Sequence, residues 1–184
     1  MNWSEYKELS EKTLSREFHC QKNDEFLLHA VSGIITELDE LLDNHLVQED
    51  SINILEECGD ITWYLAIIGR ELNLEFPDVK SKQMPDCSQM DFVLKMLQDS
   101  IKLLDFLKKK LYYNKPIDLD KFKTLSESIF TNLIFYTKFY KIDIEESFDI
   151  NISKLKARYG DKFSSERAIN RQLDIEREIL ENKK

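Results

Sequence analysis

Glycine and proline are scarce in this chain, with four Gly and three Pro among 184 residues. A sheet protein of this length needs more turn residues, so the composition points to long helices joined by few breaks. Cysteine is scarce as well. Cys20, Cys58 and Cys87 are odd in number, widely spaced and without a CxxC pair, which supports neither a disulfide framework nor a zinc site and suits reduced thiols in a cytoplasm. No apolar run approaches the roughly 18 residues of a membrane span, and the charged start Met1-Asn2-Trp3-Ser4-Glu5-Tyr6-Lys7 does not resemble a signal peptide. Positive charge is in deficit, with a formal net charge of −9. A general nucleic-acid binder is therefore not expected, because little here could neutralise many phosphates at once. One small anion held through a metal and a local basic patch stays compatible with that charge.

What is present is 42% hydrophobic and 33% charged sequence laid out at helical spacing. The length suits one all-α domain over residues 1–184, long enough to bury a single core. The periodicity predicts a first helix over residues 3–18 (Trp3, Tyr6, Leu9, Leu14) and a second, N-capped at Asn23-Asp24, running to Asn44 with Leu27, Val31, Ile34, Leu38 and Leu41 on its inner stripe. After a polar break from His45 to Asp50, a third helix spans Ser51 to Leu72. Its stripe of Ile54, Cys58, Ile61, Leu65, Ile68 and Leu72 predicts the most buried helix of the bundle. An irregular stretch from Phe76 to Asp86 holds two prolines. It leads to a second pair, Ser88–Leu111 (Phe92, Met96, Leu97, Ile101, Leu104) and Leu119–Tyr140 (Phe122, Leu125, Ile129, Leu133, Tyr136). A helix over Asp143–Tyr159 stopped at Gly160-Asp161-Lys162, and a terminal helix from Ser164 to Asn182, complete a bundle of six to seven helices.

The two pairs align as a possible decayed duplication. Laying Trp63-Tyr64 over Phe135-Tyr136 sets Glu56, Glu57 and Asp60 opposite Ser128, Ile129 and Asn132. Laying Leu28 over Leu94 sets Glu37 and Glu40 opposite Leu103 and Phe106. The second pair would then keep the packing and lack the acids.

Those acids are the chemical feature of the chain. Glu37 and Glu40, and then Glu57 and Asp60, are two i,i+3 pairs, and each pair shares one helical face. Two helices joined by a short break pack antiparallel, which can bring both pairs to one cleft. On a wheel of roughly 100° per residue, Glu57 falls inside the apolar stripe, where a carboxylate needs a cation or donors in place of water. Glu40 is turned furthest from the core and best fits plain surface decoration. Gly33, one turn before Glu37, gives up about 1 kcal/mol of helix propensity, which suggests that it makes room for something beside the acids. The pattern leaves two readings, a divalent-cation site or a solvated face. If it is a site, its carboxylate-only donors select Mg²⁺, or Mn²⁺, over zinc or copper. No Glu-x-x-His occurs, so a di-iron bundle is not supported; His19, His29 and His45 are isolated and read as surface or satisfied residues.

At these residues the chain resembles the MazG-like, all-α nucleoside triphosphate pyrophosphohydrolases. Their E-x-x-E, spacer, E-x-x-D signature corresponds to Glu37, Glu40, Glu57 and Asp60. Glu-Glu-Cys-Gly-Asp-Ile-Thr-Trp-Tyr-Leu (56–65) is close to the family's E-E-L-G-D-V-L-W-Y-L. Asp39 stands where many members have Gly. Downstream, Asn151-Ile152-Ser153-Lys154-Leu155-Lys156-Ala157-Arg158-Tyr159-Gly160-Asp161-Lys162-Phe163-Ser164 is similar to the family's N-x-x-K-L-x-x-R-Y-x-D-x-F-S segment. Asn151, Lys154 and Arg158 share a face by i,i+3,i+7 spacing, so an amide and two cations could meet a polyphosphate. The resemblance covers the start of the chain to Leu74 and then Glu145 to about Arg171. The pair between has no place in compact members and could replace helices that they borrow from a partner subunit.

The resemblance implies Mg²⁺-dependent hydrolysis of a nucleoside triphosphate, most simply a deoxynucleotide, to the monophosphate and pyrophosphate. The four acids would hold the metal, and Asn151, Lys154 and Arg158 the phosphates. Glu56, on the neighbouring face, is a candidate general base or a support for a ligand. Trp63 and Tyr64 read as core more readily than as a base-stacking pair. A cytoplasmic homodimer is expected. The alternatives are a non-catalytic nucleotide-binding or protein-interaction module, and an activity like that of the phosphoribosyl-ATP pyrophosphohydrolases.

Overall fold

The structure, a computed structural model, describes residues 1–47, 50–77, 83–160 and 162–181, and the side chains of 45–47 are not among what it describes. The described residues form helices and connections without a strand, as the composition predicts. In chain order these are α1 (Trp3–Glu11), α2 (Lys22–Val47), α3 (Ser51–Leu72), α4 (Gln89–Tyr113), α5 (Leu119–Phe139), α6 (Ile144–Tyr159), α7 (Ser165–Ile169) and α8 (Leu173–Glu181). No helix among the described residues is long and apolar enough to cross a membrane.

Two helix hairpins, α2 with α3 and α4 with α5, pack against each other mainly through α2 and α4. α6 lies along α3, and α8 along α6. The core holds the expected stripes of α2 and α3, with Leu27, Val31, Ile34, Leu38, Leu41, Ile54, Cys58, Ile61, Leu65 and Ile68 all buried. Leu72 is only half-buried, at the end of α3. Local signals set the ends. Asp50 caps α3 by accepting from the Ile52 N–H, and Ser88 with Asp91 forms a capping box on α4. Asn73 closes α3 at φ 51° and Asn114 closes α4 at φ 50°, left-handed positions that asparagine tolerates. Gly160, at φ 69°, ends α6.

Four expectations are corrected. The first helix stops at Glu11 rather than near residue 18, because Trp3, Tyr6 and Leu9 stay exposed and no packing extends it. The following chain instead attaches to the C-terminal end of α4. The Ser15 hydroxyl donates to the Tyr112 carbonyl at 3.2 Å and the His19 N–H to that of Leu111 at 2.7 Å, two of the acceptors that a helix end leaves free. α2 begins at Lys22, and Asp24 sits inside its first turn, accepting from the Gln21 N–H at 2.9 Å. In α4, Ile101 is 51% exposed while Val93, Ser100, Leu103 and Leu107 are buried. Packed between α2 and α5, α4 buries a face rotated away from Ile101. The terminal helix is broken at residues 170–172 into α7 and α8, which accounts for eight described helices instead of six or seven. Asp161 and Asn182, named in the expected helix ends, lie outside the described residues.

In the second hairpin the positions that the alignment sets opposite Glu37 and Glu57, namely Leu103 and Ile129, are core residues. The charged group buried in this hairpin is Asp99, which receives Lys95, Lys102 and the Ser128 hydroxyl. Burial works against its charge, but those three donors outweigh it and hold the carboxyl below the usual range.

Candidate metal and phosphate site

Antiparallel packing of α2 and α3 does what the i,i+3 spacing allows. Glu37, Glu40 and Glu57 each bring a carboxylate oxygen within 4.8 Å of the others. Glu40, the acid best suited to surface decoration, belongs to this group although it is exposed. Glu57 is 7% exposed and Glu37 half-buried. Burial, together with a hydrogen bond to Glu37 and the nearby Glu40, pushes the Glu57 carboxyl up to about 10. Glu37 is raised too, chiefly by burial. Glu37 and Glu57, the two less exposed acids of the cluster, therefore hold their protons more firmly than ordinary carboxylates do.

Asp60 is not in that group. One turn beyond Glu57, it is held by the distant segment instead, receiving Asn151 Nδ2 at 2.5 Å and Lys154 Nζ at 2.5 Å. Lys154, 1% exposed, also donates to Glu56 at 3.0 Å. Burial disfavours its ammonium, but Asp60 and Glu56 outweigh that and hold its pKa above the ordinary value. Gly59 lets α6 come this close, since a Cβ there would lie 3.0 Å from that of Asn151. Asn151 and Lys154 thus reach acids of α3, whereas Arg158, further along α6, does not bond them, and each of the three is already bonded to a carboxylate. Arg158 takes Glu176 of α8. Glu56, the candidate base, is spent on Lys154, and its Oε1 lies 3.9 Å from Arg171 Nη2.

Gly33 makes room for an aromatic ring. A Cβ at this position would lie 2.2 Å from Tyr64 Cζ. Gly33→Ala would gain about 1 kcal/mol of helix propensity but must displace the ring, and overpacking of this kind costs about 1–3 kcal/mol. A net loss of a few degrees in Tm is expected, measurable by thermal denaturation; unchanged or higher stability would show the ring to be loosely seated. Tyr64 is half-buried rather than core, and its phenol is pushed up to about 12 by burial, with Glu37 and Asp60 adding to it. Trp63 packs edge-on to it at 5.0 Å, and His29 contacts both rings.

A cleft of about 670 Å³ opens beside Asp60, lined by Trp63, Tyr64, Ile152, Arg158, Tyr159 and Phe163 among others. The expectation that Trp63 and Tyr64 are core is therefore corrected: both are half-buried and line a cleft, although Tyr64 also packs against the core. The helical spacing of the sequence does not mark Arg171 or Glu176. The one sequence signal for Glu176 is an acid inside the weakly apolar face of a terminal helix.

No protein-family model matches the chain, and no curated protein or solved structure matches it either.

Proposed function

We propose that this chain hydrolyses a nucleoside triphosphate to the monophosphate and pyrophosphate, using a divalent cation held by its acid pairs. The observation that supports this most is the convergence of Glu37, Glu40 and Glu57 from two helices, with the buried Glu57 short of a counter-charge. The donor set fits Mg²⁺ or Mn²⁺, because it is made of carboxylate oxygens alone. Such an ion offsets phosphate charge and lowers the pKa of a bound water.

The chain's own residues do the rest. Asp60, steadied by Lys154 and Asn151, is the fourth carboxylate beside the cluster, held as outer partners hold a ligand. In this reading Lys154 and Glu56 are positioning residues for Asp60, and Glu56 is not the proton acceptor. The aromatic walls of the adjoining cleft suit the face of a nucleobase, which stacking recognises with little regard to its edge.

The test is pyrophosphate release from a panel of ribo- and deoxynucleoside triphosphates, with and without Mg²⁺ or Mn²⁺. Cation-dependent release is expected. Failure to turn over any nucleotide would overturn the enzymatic reading, and tight binding without turnover would put a nucleotide-binding module in its place.

A further inference from the structure

The most densely bonded carboxylate among the described residues outside the acid pairs is Glu176 on α8. It is 3% exposed and accepts four hydrogen bonds from two guanidinium groups. Arg158 meets it as a fork, Nε to Oε1 at 2.9 Å and Nη2 to Oε2 at 2.5 Å. Arg171, from the break between α7 and α8, adds Nε at 3.2 Å and Nη2 at 2.7 Å to Oε2. Burial raises the Glu176 carboxyl, but the two arginines outweigh it and keep it ionised below the usual range.

Two guanidinium forks aimed at one pair of oxygens form the arrangement that binds a phosphate group. A cavity of about 290 Å³ adjoins them, lined by Arg158, Arg167, Asn170, Gln172 and Glu176. This oxyanion position is linked to Asp60, beside the acid cluster, by alternating charges: Arg171 approaches Glu56, Glu56 bonds Lys154, and Lys154 bonds Asp60. The helix carrying Glu176 is held largely by charge. Glu176 and Leu180 are its buried residues, and Arg177 ties it to α3 through Asp50 at 3.0 Å and Asn53 at 2.6 Å.

We propose that Arg158 and Arg171 form a phosphate-binding fork, that Glu176 fills it as an internal stand-in while the protein is free, and that the polyphosphate of the ligand displaces Glu176. This deepens, and rests on, the proposed reading of the chain as one that takes a nucleoside triphosphate. It also adds Arg171 as a phosphate ligand and makes α8 a latch that opens when the fork is taken.

The experiment is calorimetric titration of the full chain with inorganic tripolyphosphate in the absence of divalent cations, so that the arginines are probed apart from any metal. Weak binding is expected for the wild type. Glu176→Gln removes the competing charge and keeps the side-chain shape, so at least about tenfold tighter binding is expected, the scale of one charge-assisted hydrogen-bonding competitor. Adding Arg158→Gln and Arg171→Gln should return the affinity to the wild-type level or below. Should Glu176→Gln fail to fold by circular dichroism, Arg177→Gln loosens α8 without touching the fork and should tighten binding in the same direction. Unchanged or weaker binding in the folded Glu176→Gln protein, or tight binding that survives loss of both arginines, would overturn the proposal. Because the readout is binding, a wild type that turns over no nucleotide defeats the enzymatic reading separately.

Discussion

Glu57→Gln is expected to lower nucleotide turnover by about 10²–10³-fold, the scale on which single groups at such sites act. Gln keeps the volume and one acceptor, so α3 should pack as before among Ile54, Cys58 and Ile61. What disappears is the ionisable group at the one buried acid of the cluster. The same substitution should weaken Mn²⁺ binding in a direct titration, and the two losses belong together if the acids hold the ion. Glu40→Gln is the internal comparison: Glu40 is exposed, shares the cluster and has water for support, so a smaller loss is expected. Wild-type turnover in Glu57→Gln would remove Glu57 from the site and with it the metal-dependent reading.

The second large effect is on stability and its pH dependence. A carboxyl whose pKa is higher in the fold than in the unfolded chain keeps its proton after the unfolded chain has lost it. Between about 4.5, the ordinary value, and about 10, the value for Glu57 in the fold, the folded state binds more protons. Metal-free stability from this group is therefore complete only below about pH 4.5 and declines as the pH rises through that window. Glu37 acts in the same direction. Asp99 and Glu176 act oppositely. Their partners hold them below the usual range, so their contribution is present above the unfolded value and fades as acid protonates them.

The metal-free protein should accordingly have a stability maximum in mild acid and lose Tm toward alkaline pH. Mg²⁺ or Mn²⁺ should restore it, since an ion that binds only the folded state stabilises it. Near pH 8 without cation, Glu57→Gln should be more stable than wild type by about 2 kcal/mol, some 5 °C in Tm, and should respond less to added metal. Thermal denaturation over pH 4–9, with and without cation, reads both effects. A wild type whose Tm rises steadily toward pH 9 in the absence of metal would contradict the buried acid pair.

Much of this could be read from the chain in one dimension. Spacing placed α3 at about its observed bounds and the hairpin of α2 and α3 around it, because a buried face follows a period of about 3.6 residues; the caps at Asp50 and Asn73 that fix its ends appear in the structure. The same periodicity put Glu57 among core residues and aligned Asn151, Lys154 and Arg158 on a single face. It failed where the neighbour, and not the helix itself, chooses the outcome. α1 shortened because nothing covers Trp3 and Tyr6. α4 turned Ile101 outward because α2 and α5 meet a different arc. The terminal helix broke at residues 170–172, and Arg171 in that break and Arg158 both bond Glu176.

The sequence by itself determined an all-α bundle and a set of acids with one misfit, Glu57, since both follow from composition and local period. Which acids meet was decided only by tertiary structure. Glu37, Glu40 and Glu57 converge, while Asp60 is drawn to α6 and Glu56 to Lys154. The reason is physical: a buried charge goes to the nearest opposite charge that packing supplies, and for Asp60 and Arg158 those partners lie 94 and 18 residues away in the chain.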